Sequence, residues 1–318
     1  MKEIKVSIVI VCMNNLKNLY PCLDSIKKYT TVSYETLVVA YLFSEENLQK
    51  LRVDYPWVTI IESKEIRGFS ENNNLALRQA KGEYCFVVND DTFVETPVID
   101  DLVSTIENLP EDIVVISPNI LYPDGSPQCC GREPMNWTNY VKYLLHLPQK
   151  TRNKKYSDKK GIFQSYNILG AAFLIKYNIF KQIGFFNEQY FFCPEDIAVS
   201  TLLNNIGYKC FVNSEILLYH IGGGSGWSKI MSATEPSAKK GSVIFYSGNS
   251  LIKRIILKNT IFITSLFDYL LFKIMSCIKD KNYYQVKAQA KLNNCFSIFT
   301  KKTPKEIFSL YYKSQINN

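Results

Sequence analysis

Histidine is nearly missing from this chain. Its 318 residues contain two, His146 and His220, which excludes a histidine-rich zinc site. Nine cysteines form no Cys-x-x-Cys pair. Cys12, Cys85 and Cys210 lie inside apolar runs and read as small buried hydrophobes in a reducing compartment, while Cys129-Cys130 lacks metal-ligand spacing. The net charge is +8, yet no basic stripe with interleaved aromatics accompanies it, so nucleic acid is not an expected partner. The excess charge gathers in Gln149–Lys160 and after Lys239, which suits solubility or attraction to an anionic membrane surface. No charged n-region and long apolar h-region precede the first strand-like run, so no secretory signal is expected. There is no internal repeat. Cys12–Lys17 holds no glycine, which argues against the glycine-rich phosphate loop of a nucleotidyltransferase.

What is present is apolar sequence in short, regularly interrupted runs: 47% of residues are hydrophobic and 21% charged, a globular balance. Val6–Val11, Tyr34–Val39, Val58–Glu62 and Tyr84–Val88 read as strands, alternating with helical spacing over Leu16–Tyr29, Glu45–Arg52 and Ser70–Ala80. This alternation predicts a parallel α/β sheet with right-handed crossovers. Further on, Pro97–Asn108, Asn178–Ile183 and Ala198–Ile206 read as helices. Ile113–Ser117 and a short Lys209–Val212 read as strands, Ile168–Ile175 is apolar again, Gln149–Lys160 reads as a mobile loop, and Gly222–Gly241 as a loop and composition boundary. Ser250–Ile278 is apolar and helical but interrupted by charges. Its longest uncharged stretch is too short to span a bilayer comfortably, which leaves an amphipathic basic helix on a membrane or a packed helical hairpin.

Asn89-Asp90-Asp91-Thr92 closes the fourth strand. Ligands of such sheets bind beyond the carboxyl ends of the strands, and two carboxylates there need positive company. A divalent cation carrying a phosphate-bearing substrate fits. So does a solvated acidic turn before the helix near Pro97.

Several segments together resemble the family 2 glycosyltransferases of the GT-A fold, close to the rhamnosyltransferase-like bacterial members. They are Val6–Val11 with Asn14; Gly68-Phe69-Ser70 with Asn73-Asn74; Ala80–Tyr84; Asn89–Thr92; Gly170–Ile175; Glu195-Asp196; and Tyr219–Gly223. The resemblance implies a Rossmann-like, mostly parallel sheet flanked by helices over residues 1–240, with a helical C-terminal extension over 241–318. It implies an inverting transfer of a sugar from a nucleotide diphosphate to an acceptor hydroxyl on a surface glycan or lipid-linked oligosaccharide, with Mn²⁺ or Mg²⁺ as cofactor. The chain would work in the cytoplasm, peripherally at the inner membrane face.

Carried residue by residue, the resemblance makes Asp91 a metal ligand and Asp90 a ribose contact, with Asn89 in the first position of the acidic signature. Asp196, which follows the aromatic run Tyr190-Phe191-Phe192, becomes the base that accepts the proton of the acceptor hydroxyl. Glu195 would orient the acceptor or the loop, and counts among the donor-binding residues. His220 would complete the metal or diphosphate site, and the glycines after it would close over the phosphates. Val11, Cys12, Asn14, Arg67 and Gly170 would contact the donor. Each residue also has a plainer reading. Glu195-Asp196 can be an acidic N-cap pair, His220 a structural histidine, Arg67 a solvated loop charge, Gly170-Ala171-Ala172 a tight strand contact, and Asn73 and Asn74 cap and structural contacts.

Two positions depart from the family pattern. Ala40 stands where relatives carry the aspartate that meets the nucleobase, and Cys12-Met13 stands for Thr-Tyr. These put the base, rather than the diphosphate chemistry, in doubt. They also motivate an alternative: a non-catalytic glycan-assembly partner with a degenerate donor site.

Overall fold

A computed structural model describes residues 3–128, 130–147, 159–222 and 227–316. Cys129, most of Gln149–Lys160, and Gly223 and Gly224 therefore lie outside the described residues. In chain order the elements are β1 (Val6–Met13), α1 (Leu16–Tyr29), β2 (Tyr34–Tyr41), α2 (Glu45–Asp54), β3 (Thr59–Ser63), α3 (Phe69–Leu77), β4 (Tyr84–Asn89), β5 (Thr92–Phe93), α4 (Val98–Glu107), β6 (Ile113–Leu121) and β7 (Gly131–Arg132). They continue with α5 (Trp137–Leu144), β8 (Ile162–Ser165), β9 (Asn167–Ile168), β10 (Ala172–Lys176), α6 (Tyr177–Gln182), α7 (Glu195–Asn205), β11 (Lys209–His220), α8 (Trp227–Ser247), α9 (Leu251–Ile278), α10 (Lys281–Ser297) and α11 (Pro304–Ile316).

The chain forms two compact units. The first comprises residues 1–134, 154–187 and 195–225. Its main sheet has the order β3-β2-β1-β4-β10-β6-β11-β5, with β8 also on β11. β3, β2, β1 and β4 are all parallel, as the strand–helix alternation predicts. These central strands read as continuous apolar runs because both faces are covered. On one face Val6, Ile8 and Ile10 pack with Leu19, Leu23 and Ile26 of α1 and Leu102 of α4. On the other, Val9, Leu37 and Val39 pack with Ala76 and Leu77 of α3, Phe180 of α6 and Leu203 of α7.

Beyond β4 the sheet departs from the simple alternation. β10 inserts antiparallel between β4 and β6, with Ala172 opposite Val88. The predicted short strand at Lys209–Val212 is instead the long β11, reaching His220 through a register shift between Asn213 and Leu217. Polar Asn213-Ser214-Glu215 sits at that irregularity, which breaks the apolar pattern that would have revealed the strand's length.

The second unit comprises residues 135–153, 188–194 and 226–318 and is helical. Here the loop expected over Gly222–Gly241 is corrected: most of it belongs to α8, which carries Pro236 within it. Tertiary packing overrides poor propensity. Ser237 Oγ donates to the Pro304 carbonyl at 2.8 Å, and Tyr140 and Tyr246 stack at 4.1 Å. Gly241 is there for space, not flexibility: a Cβ would stand 2.5 Å from the Cys193 carbonyl oxygen. Gly241→Ala is therefore expected to cost about 1–3 kcal/mol, the penalty of overpacking, read as a lowered denaturation midpoint at unchanged slope.

α9 packs against α10 as a hairpin. Taken whole, α9 is also long and apolar enough to cross a membrane by length and composition.

Candidate active site

The carboxyl end of β4 is where the acidic motif emerges, and three other segments converge on it. The Asn89 N–H donates to the Ala171 carbonyl at 2.9 Å, tying the motif to the start of β10. One residue earlier, the Gly170 N–H donates to Asp196 Oδ2 at 3.3 Å. On the other side the Ile221 N–H donates to the Asp91 carbonyl at 2.9 Å, and His220 pairs with Thr92 across β11 and β5. Asp90, Asp91, Gly170, Asp196 and His220, spread over 131 positions, thus share one edge of the sheet.

Asp91 is 3% exposed, and its Oδ1 lies 3.1 Å from His220 Nε2. Asn89 Nδ2 stands 3.4 Å from the same nitrogen. The other face of the imidazole is fixed by Gln128, a residue that sequence reasoning missed. Gln128 Nε2 donates to the His220 carbonyl at 2.5 Å, which turns Oε1 toward His220 Nδ1 at 2.9 Å. An amide oxygen can only accept, so Nδ1 carries the proton, and Nε2 is left with a lone pair for the Asn89 amide N–H or for a cation shared with Asp91. A neutral glutamine after a Pro-Asp-Gly turn bears no motif, so nothing in the sequence marks it.

A divalent ion fits this donor set. Two acceptors held about 3 Å apart match the edge, about 2.9 Å, between cis ligands of an octahedral Mg²⁺. Asp90 Oδ2 is also buried with no hydrogen-bond partner. No group of three or more His, Cys, Asp and Glu arranged for a metal occurs among the described residues. Asp91 and His220 would therefore share the ion with water and substrate phosphates, as is usual for Mg²⁺. Ligating histidines depend on the group that holds their second nitrogen. Gln128→Leu is expected to weaken Mn²⁺ affinity by about 10- to 100-fold while the far-ultraviolet spectrum stays unchanged, measured by titration with nucleoside diphosphate present.

Asp90 is 4% exposed and lies against Cys12 at the end of β1, whose thiol is within hydrogen-bonding reach of its carboxylate. Burial pushes the Asp90 carboxyl up to about 7; the Cys12 thiol opposes this and the neighbouring Asp91 charge adds to it. Burial likewise pushes the Cys12 thiol well up, so it stays a neutral donor. The folded state thus holds the Asp90 proton more tightly than the unfolded chain. The free protein should lose stability as pH rises from about 4 to about 7. A bound cation favours the carboxylate and expels that proton. Affinity for Mn²⁺ with nucleoside diphosphate should rise from pH 5.5 to about 7 and level off above, with proton release seen as buffer-dependent heat in calorimetry.

Asp196 is half-buried in the first turn of α7, one residue after the buried Glu195. The Ile197 N–H at 2.7 Å and the Gly170 N–H at 3.3 Å orient its carboxylate. A Cβ at Gly170 would make only ordinary contacts, 3.6 Å from Asp196 Cβ and 3.9 Å from the Phe69 ring. Val11 pairs with Asn89 in the sheet.

Asn14 has φ 50° and its Oδ1 accepts from the Ser44 N–H at 3.0 Å and from Asn47 Nδ2 at 2.9 Å, joining the ends of β1 and β2. Cys12 pairs with Ala40, which is buried. Arg67 Nη1 reaches Ser63 Oγ at 3.2 Å and Nη2 reaches Glu65 at 2.8 Å, farther along the same edge. Asn74 proves structural: it exchanges two hydrogen bonds with the Phe186 backbone.

The sequence profile of glycosyl transferase family 2 matches residues 7–176, and so stops short of Asp196 and His220. O-antigen biosynthesis protein RfbC of Myxococcus xanthus is 22% identical over 188 residues, 58% of this chain. The chain spans only 14% of that relative's length. Two solved structures share the fold. GalNAc-T7 with UDP, GalNAc and Mn²⁺ is 17% identical at TM-score 0.56, over 80% of this chain and 54% of that one. The mannosyltransferase PcManGT from Pyrobaculum calidifontis, with GDP-Man and Mn²⁺, is 13% identical at TM-score 0.52, over 94% and 88%.

Proposed function

Because this chain belongs to glycosyl transferase family 2, we propose that it moves a sugar from a nucleotide diphosphate to an acceptor hydroxyl on a surface glycan or lipid-linked oligosaccharide, with inversion and with a divalent metal. The observation that carries this reading is the pair Asp91 Oδ1 and His220 Nε2, 3.1 Å apart and braced by Gln128. A Mn²⁺ or Mg²⁺ ion held there supplies Lewis-acid neutralisation of the leaving diphosphate. Both fold neighbours were solved with Mn²⁺ and either a nucleotide or a nucleotide sugar, which supports the same choice.

The chain's own residues divide the remaining work. Asp196, oriented by two backbone N–H groups, accepts the proton of the attacking hydroxyl. Such a single displacement inverts the anomeric carbon. Gly170 keeps the approach beside Asp196 open. Asp90 and Cys12 form the buried floor beside the diphosphate, and Asn14 and Arg67 border the nucleoside end of the sheet. The chemistry belongs to the first unit, which contains all of these residues. The buried free thiols Cys12, Cys22, Cys85 and Cys210 support work in a reducing, cytoplasmic setting.

The test is a screen of nucleotide sugars that reads release of each nucleoside diphosphate with and without Mn²⁺. Metal-dependent release from at least one donor is expected. Ala40 favours the second reading, a glycan-assembly partner with a decayed donor site, which would release none and show no metal-dependent melting shift.

A further inference from the structure

α9 is built the wrong way round for a helix facing water. One stripe, Leu257, Ile261, Ser265 and Asp268, is buried, as the packed face of any surface helix is. The opposite face should then be polar. Instead Ile252, Ile263, Phe267, Leu270, Ile274 and Ile278 stand out at 55–76% exposure. At 100° per residue these side chains gather on the side away from the buried stripe. The helix is about 42 Å long at 1.5 Å per residue. A contiguous apolar strip of that length is a docking surface.

Charge says what docks. Residues 251–318 carry twelve Lys and Arg against three Asp and Glu, a balance of +9. The preceding 250 residues carry 25 against 26, a balance of −1. The whole positive excess of the protein thus belongs to the segment that bears the apolar strip. Lys253 and Lys273 lie exposed on α9, and Lys279 follows it. A second copy would bring the same charge against itself, whereas an anionic lipid surface is attracted by it.

The buried side decides between lying on a membrane and crossing it. Asp268 accepts an ion pair from Lys291 of α10 at 3.3 Å, Lys291 also meets Glu235 of α8 at 2.8 Å, and Asn294 Nδ2 donates to Ser265 Oγ at 3.2 Å. A spanning α9 would have to abandon these partners or drag the charged cluster into hydrocarbon.

We propose that α9 lies in the plane of an anionic phospholipid surface, its Ile252–Ile278 strip inserted at the headgroup–acyl boundary and its lysines on lipid phosphates. This placement stands whether or not the sugar-transfer reading is right.

The test is flotation of the full chain with vesicles of phosphatidylglycerol and phosphatidylcholine in equal parts, and with phosphatidylcholine alone. The protein should float with the anionic vesicles, less so at high salt, and be released by alkaline carbonate. Phe267→Ser with Leu270→Ser should lower partition at least tenfold at unchanged melting temperature. Lys253→Glu with Lys273→Glu, which leaves the apolar strip intact, should also lower it and so guards against misfolding of the first variant.

Flotation of both variants like the native chain would overturn the proposal, as would indifference of the native chain to anionic vesicles. A native dimer dissociated by the serine variant would assign the strip to a second copy instead. Resistance to carbonate would mean that α9 spans.

Discussion

Asp91→Ala will lower metal-dependent release of nucleoside diphosphate by about 10³-fold, the scale on which loss of one group facing developing negative charge acts. The same variant will melt at or above the temperature of the native chain when no metal is present. Asp90 and Asp91 are adjacent and both buried, and Asp91 adds to the rise of the Asp90 carboxyl. Removing one charge relieves the other, as expected where a site is kept at some cost to stability. The backbone anchor from the Ile221 N–H to the Asp91 carbonyl does not involve the side chain, so the edge of β5 stays in place. A large drop in the melting temperature together with lost activity would instead make Asp91 a structural residue.

Asp196→Asn will lower kcat by about 10³-fold, within the range for removing a positioned base, with little change in the Michaelis constant for the donor. Asparagine keeps one acceptor oxygen, enough for the 2.7 Å bond from the Ile197 N–H that starts α7, and gives up only the longer 3.3 Å bond from the Gly170 N–H. The variant should show a normal metal-dependent melting shift with nucleoside diphosphate. Loss of that shift would place Asp196 in donor binding rather than proton transfer. Measured side by side, the two variants separate the two ends of the site: Asp91→Ala abolishes the shift and Asp196→Asn leaves it.

Much of the first unit was legible because its strands are covered on both faces. Val6–Val11 and Tyr84–Val88 had to be apolar throughout, and such runs are visible without any partner being known. The Asn89-Asp90-Asp91 motif and its place at a strand end were legible for the same reason. Pairing partners were not. Ala172–Lys176 is as apolar as its neighbours, and nothing local says that it runs antiparallel between β4 and β6.

The first part of α8 looks like a linker in sequence because Gly241, Pro236 and several serines are poor helix formers. Yet Gly241 is required by the close approach of the Cys193 carbonyl, a contact 48 residues distant in sequence. Gln128 was invisible for a related reason. Its role exists only once β11 carries His220 beside it, and a single amide acquires meaning from geometry alone.

Asp91 and His220, with Gln128 behind, are proposed to hold a divalent ion for a nucleoside diphosphate. The direct measurement is the melting temperature of the full chain with each nucleoside diphosphate, with and without Mn²⁺, in the native protein and in Asp91→Ala. Stabilisation that needs both ligands, amounting to about 2.7 kcal/mol at a ligand concentration one hundred times the Kd, and that vanishes in Asp91→Ala, is the predicted result. Stabilisation by nucleotide alone that Mn²⁺ does not increase, or an equal shift in the variant, would mean that Asp91 and His220 hold no ion for the diphosphate.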